Sequence, residues 1–494
     1  MQNVYESVGV LDKRTCEKFE LSAQILVENA ANAILELIKQ KAHKKSVVTI
    51  ICGSGDNGAD GYALARKLSG SYRVRIYQAK EPKTSLCVEM CQKARLIEEV
   101  RFISKLAPCD VVVDCLFGSG LKGRIDSSLN EIIAQSNLIA RLNIACDIPS
   151  GLLGENEITS KETQLFETDS ADYAPTRAIF KAHYTMCMGA LKSTLLSDEA
   201  KDYVGEILIA ELGISRQNYE IASSLKLLET SDMCLPTREN QNAHKGNFGH
   251  LCVFIGNKSG AGMLSAQAGF AFGAGLVSVV DKRSLDRGEL PLELMKVRAI
   301  PQNVSAYTLG MGLGEFSPKV LNELAQRSEP CVIDADALYC EEILELLEYK
   351  SLLDSTPREI VLTPHPKEFS ALLEICGFWC MGALKWQDKM RLAMEFSAKF
   401  PHVTLLLKGA TTIIAKNQKL FFNTLGSVAL AKGGSGDVLA GMIGALLAQG
   451  YDGLKAAISA SLAHALAGRL ESCTYALTPQ KIIANLAKLE TLHS

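Results

Sequence analysis

Short apolar segments alternate with helical patterns along most of the chain, and this alternation constrains the fold more than any other feature. The segments of the first series are β-branched and almost continuously apolar, as strands buried on both faces of a parallel sheet are; they lie at 46–52, 72–77, 110–115 and 143–148. Helical spacing of apolar residues precedes and separates them, at 15 to about 42, 58–69 and about 127–135. This order predicts a doubly wound, Rossmann-like α/β domain whose ligands bind at the carboxyl ends of its strands.

A second α/β series begins at residue 250 and indicates a second domain. It ends differently from the first, because two strands around a turn (411–423) are followed by the Gly-rich "KGGSGD" and by Ala- and Leu-rich helices. A polar stretch without a strong strand pattern separates the two series, and 494 residues are too many for one core. We therefore predict domains spanning residues 1–215 and 226–494, with the boundary near 215–235.

Composition excludes several classes of function. A net charge of −3 with 22% charged residues gives no basic excess that would recruit nucleic acid or anionic lipid, so small-molecule chemistry is the default. The 15 cysteines are an odd number without a CxxC pair, which argues against a disulfide framework and a zinc knuckle. The N-terminal stretch lacks the apolar core of a secretory signal, and no run of 18 apolar residues occurs, so we expect a cytoplasmic protein without membrane contact.

Three Gly-rich loops follow strands of the first series: "GSGDNGADG" (53–61), "DCLFGSGLKGR" (114–124) and "DIPSG" (147–151). Glycine lets the backbone approach a pyrophosphate closely, and a helix N-terminus presents unpaired N–H groups to an anion. On this basis residues 58–61 and 118–122 are candidate phosphate-binding segments. The alternative is that these glycines satisfy only turn geometry and the neighbouring Asp residues cap helices. That alternative is the commoner one for a single loop but is weakened by three loops together.

Oxygen-bearing side chains beside these glycines indicate a hard cation. Asn57, Asp114 and Ser150 supply amide, carboxylate and hydroxyl oxygens, which suit an alkali or alkaline-earth ion better than zinc. Asp147 stands at a strand end before a Pro-Ser-Gly turn, from which a carboxylate can point into the ligand cleft as a general base.

Residues 1 to about 214 resemble the NAD(P)H-hydrate epimerase domain, since "ILVENAANAI" (25–34), the three loops above and "ELGI" occur in that family's order. The resemblance implies a potassium ion bound by Asn57, Asp114 and Ser150, and an acid/base role for Asp147. It also implies that the substrate is bound by Asp147 and by two loops, with the residues Asp56, Asn57, Gly58, Ala59, Asp60, Gly118, Ser119, Gly120, Leu121, Lys122, Gly123 and Arg124.

The first loop departs from the family pattern Asn-Asn-Gly-Gly-Asp at two positions, Asp56 and Ala59. The extra carboxylate of Asp56 would repel a phosphate unless a cation or a hydrogen bond compensates it. Ala59 adds a Cβ atom where the family has none. These two positions are where the epimerase site is expected to differ.

In the second series, "GGSGDVLAG" sets Asp437 at the start of an apolar helix. Backbone N–H groups there can hold developing negative charge while the carboxylate takes a proton from a hydroxyl, as phosphoryl transfer requires. Lys408 ends a strand beside Gly409, where it could contact a nucleotide phosphate. The alternatives are that Asp437 only caps its helix and that His365, in "TPHPKE", is a turn histidine held by its neighbours.

Residues 226–494 resemble the ribokinase-like superfamily and, within it, the NAD(P)H-hydrate dehydratase family. "HKGNFGH", "GAGL", "LTPHPKE", "KGATT" and "GGSGDVLAG" occur in the family's order, whereas "GMGLG" has Met311 where the family has proline. The resemblance implies that the hydrated cofactor is bound by Ala261, Gly314, His365 and Asp437. It implies that the adenine nucleotide is bound by Lys408, Gly409, Ala410, Thr411, Thr412 and Gly436.

Together the two resemblances imply one repair pathway for hydrated nicotinamide cofactors, NADHX and NADPHX. The first domain would be an isomerase that interconverts the R and S hydrates. The second would be a lyase that dehydrates the S form with ADP, giving AMP and phosphate, with Asp437 removing the hydroxyl proton. Magnesium is expected because the charge of a transferring phosphate must be neutralised.

Two other classes of function remain open from the sequence. The runner-up is a ribokinase-type small-molecule kinase with a regulatory nucleotide-binding domain, which would release a stable phosphorylated product. The other is a binding module, since the N-terminal fold also occurs in scaffold proteins of RNA metabolism. Asn57, Asp114 and Asp147, together with the lack of a basic patch, argue against the binding module. The choice of ADP or ATP, the choice of NADHX or NADPHX and a homo-oligomeric state are left open.

Overall fold

The computed structural model describes residues 1–120, 125–152, 177–281, 290–314, 318–348, 358–379 and 382–490. The chain divides into two compact units, one formed by Asn3–Ser223 and the other by Ser224–Ser494 with Met1–Gln2. Strand β1 (Gln2–Val4) lies where the two units divide. Each unit is an α/β structure built on its own sheet, so the expected α/β class is confirmed.

The sheet of the first unit has the strand order β4-β3-β2-β5-β6-β7-β8, and all of its neighbouring strands are parallel. Its strands are β2 (Val47–Cys52), β3 (Arg73–Gln78), β4 (Arg101–Ile103), β5 (Val111–Cys115), β6 (Leu142–Cys146), β7 (Tyr184–Met188) and β8 (Glu206–Ala210). Strand β5 is buried at every position, as its continuous apolar run predicts for a central strand. The loops that follow β2, β5 and β6 therefore meet at one edge of this sheet.

Helices cover both faces of this sheet: α1 (Gly9–Phe19), α2 (Ala23–Lys41), α3 (Asp56–Leu68), α4 (Ser85–Arg95), α5 (Ser127–Ser136) and α6 (Arg216–Tyr219). The prediction of one helix from residue 15 to about 42 is wrong. Helix α1 ends at Phe19, Glu20 takes a left-handed φ of 56°, and the Ser22 side chain accepts a hydrogen bond from the Ile25 amide to begin α2. The apolar spacing continues across this break because both helices pack on the same core.

In the second unit the strand order is β9-β18-β17-β16-β15-β14-β13-β10-β11-β12. The strands are β9 (Leu225–Leu227), β10 (His250–Phe254), β11 (Leu276–Val280), β12 (Met295–Val297), β13 (Ala306–Leu309), β14 (Cys331–Ile333), β15 (Ile360–Leu362), β16 (Val403–Leu407), β17 (Thr412–Lys416) and β18 (Lys419–Asn423). The helices are α7 (Ser259–Ala271), α8 (Lys319–Ala325), α9 (Ile343–Glu348), α10 (Pro366–Ile375), α11 (Trp386–Lys399), α12 (Ser435–Ala448), α13 (Gly453–Arg469) and α14 (Pro479–Leu486).

Strand β17 pairs antiparallel with β16 and with β18, whereas the other pairs in this sheet are parallel. The predicted pair of strands around a turn is confirmed as the β17–β18 hairpin, whose turn residues Asn417 and Gln418 have φ of 49° and 59°. Two successive left-handed residues are typical of the tight turns that join antiparallel strands. Lys408 directly follows β16. It lies at the carboxyl edge of the sheet, together with the loops after β14 and β15.

Helix α12 runs through the core of the second unit and packs closely on α7. A Cβ atom on Gly441 would lie 2.0 Å from the carbonyl oxygen of Ser265, and one on Gly269 would lie 3.2 Å from the carbonyl oxygen of Gly441. Glycine at these positions lets the two helices approach at backbone distance. This packing fixes the N-terminus of α12 relative to the sheet.

Among the described residues, no helix is both long enough and apolar enough to cross a membrane.

Candidate active sites

A cavity of about 610 Å³ opens at the carboxyl ends of β2, β5 and β6 in the first unit. It is lined by the loops Ser54–Asn57 and Leu116–Gly120, by Asp60 and Asp147, and by residues of α1 and α2. The three Gly-rich loops singled out in the sequence therefore supply one wall of one cavity. Leu121, Lys122, Gly123 and Arg124 lie outside the described residues.

Asp147 lines this cavity, and three hydrogen bonds fix its carboxylate in place. Its Oδ1 accepts hydrogen bonds from Lys192 Nζ at 2.6 Å and from the Met188 amide at 3.2 Å, and its Oδ2 accepts one from the Ser119 amide at 3.1 Å. Its backbone has a left-handed φ of 69°, which costs a non-glycine residue about 1–2 kcal/mol. Because these contacts hold a strained backbone in place, the carboxylate has a fixed orientation toward the cavity.

Lys192 is a buried partner that the sequence reasoning missed. Its side chain is fully buried, and its Nζ donates to Asp147 and to the carbonyl oxygen of Met188 at 3.0 Å. Burial lowers the pKa of Lys192, but the contacts with Asp147 and Cys187 together raise it by more, so the net pKa lies above the usual value and the ammonium stays charged. The only signal in the sequence was a lysine shortly after an apolar segment, outside the glycine loops.

Two further carboxylates line the same cavity. Asp60, on α3, is 8% exposed, and its Oδ2 accepts a weak hydrogen bond from the Cys146 thiol at 3.7 Å. Asp12, on α1, accepts a hydrogen bond from the Tyr219 hydroxyl at 2.6 Å. Burial raises the pKa of both carboxyls, in Asp60 well above its usual value, and the negative charge of Asp147 raises them further.

The two departures of the first loop have distinct structural settings. The Thr84 hydroxyl donates to Asp56 Oδ1 at 2.7 Å, so one hydrogen bond stabilises the additional carboxylate. The Ala59 side chain is fully buried in the core cluster and does not line the cavity. A Cβ atom on Gly58 would lie 2.3 Å from the carbonyl oxygen of Gly53, so the loop requires glycine at position 58.

The predicted cation ligands lie at the carboxyl end of β5 (Asp114), in the first turn of α3 (Asn57) and in the loop after β6 (Ser150). Both polar atoms of the Asn57 side chain are buried without a hydrogen-bond partner among the described residues. Ser150 Oγ donates to Asp114 Oδ1 at 2.7 Å and accepts the Phe117 amide at 3.1 Å. A buried side-chain amide without a hydrogen-bond partner destabilises the folded state unless a ligand binds it. The amide, carboxylate and hydroxyl oxygens of these three residues suit a cation that prefers oxygen ligands.

In the second unit, four charged side chains converge where β14 and β16 end and α10 and α12 begin. Lys408 Nζ lies 2.7 Å from Asp334 Oδ1 and 3.8 Å from Glu368 Oε2. A Cβ atom on Gly436 would lie 3.4 Å from Lys408 Nζ, which puts the ammonium beside the first turn of α12. Burial raises the pKa of Asp437 to about 6; the Asp334 carboxylate adds to the rise and Lys408 opposes it.

The Gly-rich loop before α12 is braced by α14 and by the turn that precedes it. Gly434 has φ of 90°, and a Cβ atom there would lie 2.7 Å from Pro479 Cγ. Lys432 Nζ donates to the carbonyl oxygen of Tyr475 at 2.6 Å. The N–H groups at the start of α12 are therefore held in place from a segment about 45 residues later in the chain.

His464, on α13, is a second residue that the sequence reasoning missed. It is buried, and its Nε2 lies 3.1 Å from Ser435 Oγ and 3.0 Å from the Ser435 carbonyl oxygen. Burial lowers the pKa of His464 to about 4, so the ring is neutral at neutral pH. No motif marked this histidine, because it lies in the middle of an Ala-rich helix.

His365 caps α10. Its Nδ1 accepts hydrogen bonds from the amides of Lys367 and Glu368, while Glu368 Oε2 accepts the His365 amide at 2.7 Å. This is the reciprocal capping box of a helix N-terminus. The turn histidine weighed from the sequence matches this geometry, and the ring Nε2 lies 3.2 Å from Glu368 Oε1.

The remaining residues assigned by resemblance in the second unit lie in two groups. Gly314 donates its amide to Asp336 Oδ2 at 2.9 Å, and a Cβ atom on neighbouring Gly312 would lie 3.0 Å from Ala261 Cβ. Met311, which replaces the family's proline, is fully buried in the core. Gly409, Ala410, Thr411 and Thr412 form the turn after Lys408 and the start of β17.

Comparison with known proteins gives a match for each unit. Residues 23–194 match the family model of the YjeF-related protein N-terminus, and residues 251–488 match the model of NAD(P)H-hydrate dehydratase. Over 497 aligned residues the chain is 44% identical to the bifunctional NAD(P)H-hydrate repair enzyme of Helicobacter pylori, covering 99% of this chain and 100% of that one. It is 29% identical to the enzyme of the same name from Coxiella burnetii, with 90% of each chain covered.

Among solved structures, the ADP/ATP-dependent NAD(P)H-hydrate dehydratase of Bacillus subtilis, co-crystallised with ATP and Mg²⁺, is 22% identical to the chain. The match covers 52% of this chain and 94% of that one, with a TM-score of 0.42.

Proposed function

The chain belongs to the family of bifunctional NAD(P)H-hydrate repair enzymes, and from this premise we propose that it restores NADH and NADPH that have taken up water. Its first domain, residues 1–215, epimerises the R and S hydrates. Its second domain, residues 226–494, dehydrates the S hydrate with ADP and releases AMP and phosphate. The observation that carries the proposal is that each unit has a carboxylate at the ligand edge of its own sheet, the buried Asp147 in the first and the half-buried Asp437 in the second.

In the first domain, Asp147 moves the proton that inversion of the hydrated carbon requires. Its support is the ion pair with Lys192 and the hydrogen bonds from two backbone amides, which hold a base in one orientation. Helix α3 begins at Asp56, beside the cavity, so its unpaired N–H groups are available to the substrate's pyrophosphate. The glycines of the loop Gly118–Gly120 allow the same close approach from the other side.

Asn57, Asp114 and Ser150 would hold a potassium ion next to these phosphates. The partnerless amide of Asn57 supports this assignment, as does the uniformly oxygen character of the three side chains. A bound potassium ion would supply positive charge where the cavity otherwise carries carboxylates. Asp114 and Ser150 also hold the loops after β5 and β6 together, with or without the ion.

In the second domain, Asp437 takes the proton from the hydroxyl of the S hydrate while that oxygen attacks the terminal phosphorus of ADP. A pKa of about 6 suits a general base near neutral pH. The N–H groups at the start of α12 and the Lys408 ammonium stabilise charge on the transferring phosphoryl group. Loss of a C5 proton and of phosphate from C6 then restores the dihydropyridine, because phosphate is a far better leaving group than hydroxide.

The nucleotide is bound by Lys408 to Thr412 with Gly436, and the hydrated cofactor by Ala261, Gly314, His365 and Asp437. No set of three His, Cys, Asp or Glu side chains in the described part of the chain is close enough together to hold a metal ion. We therefore propose that magnesium enters with the nucleotide phosphates, as it commonly does.

A cytoplasmic location is part of the same proposal. The cysteines of the described residues are unpaired, and most of them are buried. Reduced thiols in such number are typical of a reducing compartment.

The proposal is tested by the recovery of absorbance at 340 nm from an R and S mixture of NADH hydrate, with ADP and magnesium. Wild type should restore the whole mixture faster than spontaneous epimerisation allows. Asp147→Asn should restore only the S share quickly, and Asp437→Asn should restore none. Asn keeps the size of each carboxylate. Because Asp147→Asn leaves the buried Lys192 ammonium without its partner, the assay is run at a temperature at which circular dichroism shows that variant to be folded.

Two results would contradict the proposal. If Asp147→Asn restores both hydrates at the wild-type rate, the first domain is not an epimerase that uses this carboxylate. If phosphorylated hydrate accumulates without recovery of absorbance, the second domain is a kinase that releases its product.

A further inference from the structure

The structure points to Asp60 as the second proton carrier of the epimerase: we propose that it acts as the general acid whose proton complements the one that Asp147 removes. This inference rests on the proposed epimerase function and extends it to a residue so far assigned only to substrate binding. Asp60 and Asp147 line the same cavity, but only Asp147 is paired with a cation.

Inversion of the hydrated carbon requires two proton transfers. The carbon carries both a hydroxyl and the ring nitrogen, so it can invert only if its C–N or its C–O bond breaks. If the C–N bond breaks, one group removes the hydroxyl proton as the C=O bond forms, and the bond electrons go to the ring nitrogen, which accepts a proton from a second group. Rotation about the adjacent C–C bond and closure of the ring return both protons and give the opposite hydrate.

Breaking the C–O bond needs the same two groups. The acid protonates the hydroxyl, which leaves as water while the nitrogen lone pair forms a C=N bond. The base then removes a proton from the water that adds to the opposite face. In either route one group must begin protonated and the other ionised, within reach of one carbon.

Asp147 is paired with a cation, whereas Asp60 has no cationic partner among the described residues. Asp147 forms a 2.6 Å ion pair with Lys192. Asp60 is more than nine-tenths buried, and among the described residues its only side-chain partner is the Cys146 thiol at 3.7 Å. A carboxyl buried among other acids and without a cation is most stable in its neutral form, and a neutral acid can donate a proton.

The charged and titratable groups around Asp60 support this assignment. The carboxylates that raise its pKa further belong to Asp147, Asp56 and Asp12. The thiols that face it, from the neighbouring strands and helix, belong to Cys146, Cys115 and Cys87, and burial raises the pKa of each of them. These thiols add no positive charge that would favour the Asp60 carboxylate, so the surroundings of Asp60 favour its neutral form.

The test measures epimerisation directly, with purified S hydrate of NADH in the absence of ADP and with chiral separation of the R product. Without ADP the second domain does not dehydrate the S hydrate. Asp60→Asn keeps the shape and neutrality of the side chain but has no acidic proton to give, so kcat should fall by about 10²- to 10⁴-fold. Asp60→Glu should recover part of the rate. With ADP added, all variants should dehydrate S hydrate at the wild-type rate, which controls for the second domain; hydrogen exchange in β5 and β6 controls for folding of the first.

The pH dependence separates proton transfer from a merely structural role. Wild-type kcat should fall as the pH rises through the elevated pKa of Asp60, and Asp60→Glu should move that limb. Retention of wild-type kcat in Asp60→Asn, a change in KM alone, or an alkaline limb at the same pH in Asp60→Glu would each overturn the inference. If wild type itself fails to epimerise the S hydrate, the proposed function fails instead. If Asp60→Asn does not fold, the position of the alkaline limb in Asp60→Glu decides.

Discussion

Replacement of Lys192 by methionine should destabilise the first domain strongly. Methionine keeps much of the side-chain length but removes the ammonium, which leaves Asp147 without its cation. Both side chains are largely buried, at 1% and 10% exposure. Removing one partner of a buried ion pair costs about 3–5 kcal/mol, because the remaining charge stays desolvated.

The raised pKa of Lys192 determines how the stability contributed by this ion pair depends on pH. A group whose pKa is higher in the folded than in the unfolded state contributes fully below the unfolded value, which is about 10.4 for lysine. The contribution is lost only as the pH rises through the folded value. Measurements at pH 7 therefore capture the whole effect of the substitution.

The assay must report on the first domain alone. Both tryptophans, Trp379 and Trp386, belong to the second domain, so their fluorescence does not follow the first. Native-state hydrogen exchange on peptides from β5, β6 and β7 gives the free energy of opening of this sheet. The value for Lys192→Met should be about 3–5 kcal/mol lower than for wild type, and peptides of the second domain should be unchanged.

The matched control is the double variant Lys192→Met with Asp147→Asn. It removes both charges and should regain part of the lost stability, since no uncompensated charge is left buried. A change below about 0.5 kcal/mol in the single variant, as at exposed positions, would refute the reasoning. A double variant as unstable as the sum of both single variants would do the same.

Other expected outcomes concern three residues. For Asp437, whose pKa burial raises to about 6, kcat/KM for the S hydrate should fall as the pH drops below that value, because the base must be ionised; a flat profile from pH 7 to 5 would contradict the assignment. The pKa of buried His464 is lowered to about 4 from an unfolded value of about 6.5, so the unfolded state binds more protons between these values. The unfolding free energy of the second domain, followed by tryptophan fluorescence, should therefore decrease from pH 6.5 to 4, and His464→Gln should flatten this slope. Potassium in place of sodium should raise the melting temperature of wild type but not of Asn57→Ala, and an equal rise in both would exclude Asn57 as a ligand.

The fold class could be predicted because its signal is local. A buried parallel strand must be apolar at nearly every position, so β2, β5 and β16 are visible in the sequence. The β17–β18 hairpin is visible for the same reason, through two strand patterns around a polar turn. The break at Glu20 is not, because a single left-handed residue leaves the helical spacing of its neighbours intact.

The candidate sites were predictable only in part, because some partners depend on the strand order. Asp147 stands out through its Pro-Ser-Gly turn, but Lys192 lies 45 positions later and reaches it only because β6 and β7 are neighbours in the sheet. His464 meets Ser435 across two helices, a contact that no spacing rule encodes. His365 illustrates the converse, since its capping contacts lie within three positions along the chain and could be weighed from the sequence.

The Gly-rich loop before α12 rests on Pro479. Because of this contact, the two sites form in a fixed order while the chain is synthesised. The residues that line the first cavity lie between Val8 and Leu212, so that cavity can close as soon as the first domain has left the ribosome. The second site combines Asp334 with a loop that rests on Pro479, and it cannot close until nearly the whole chain has emerged. Each nascent chain therefore passes through a stage at which only the first of its two sites can be formed.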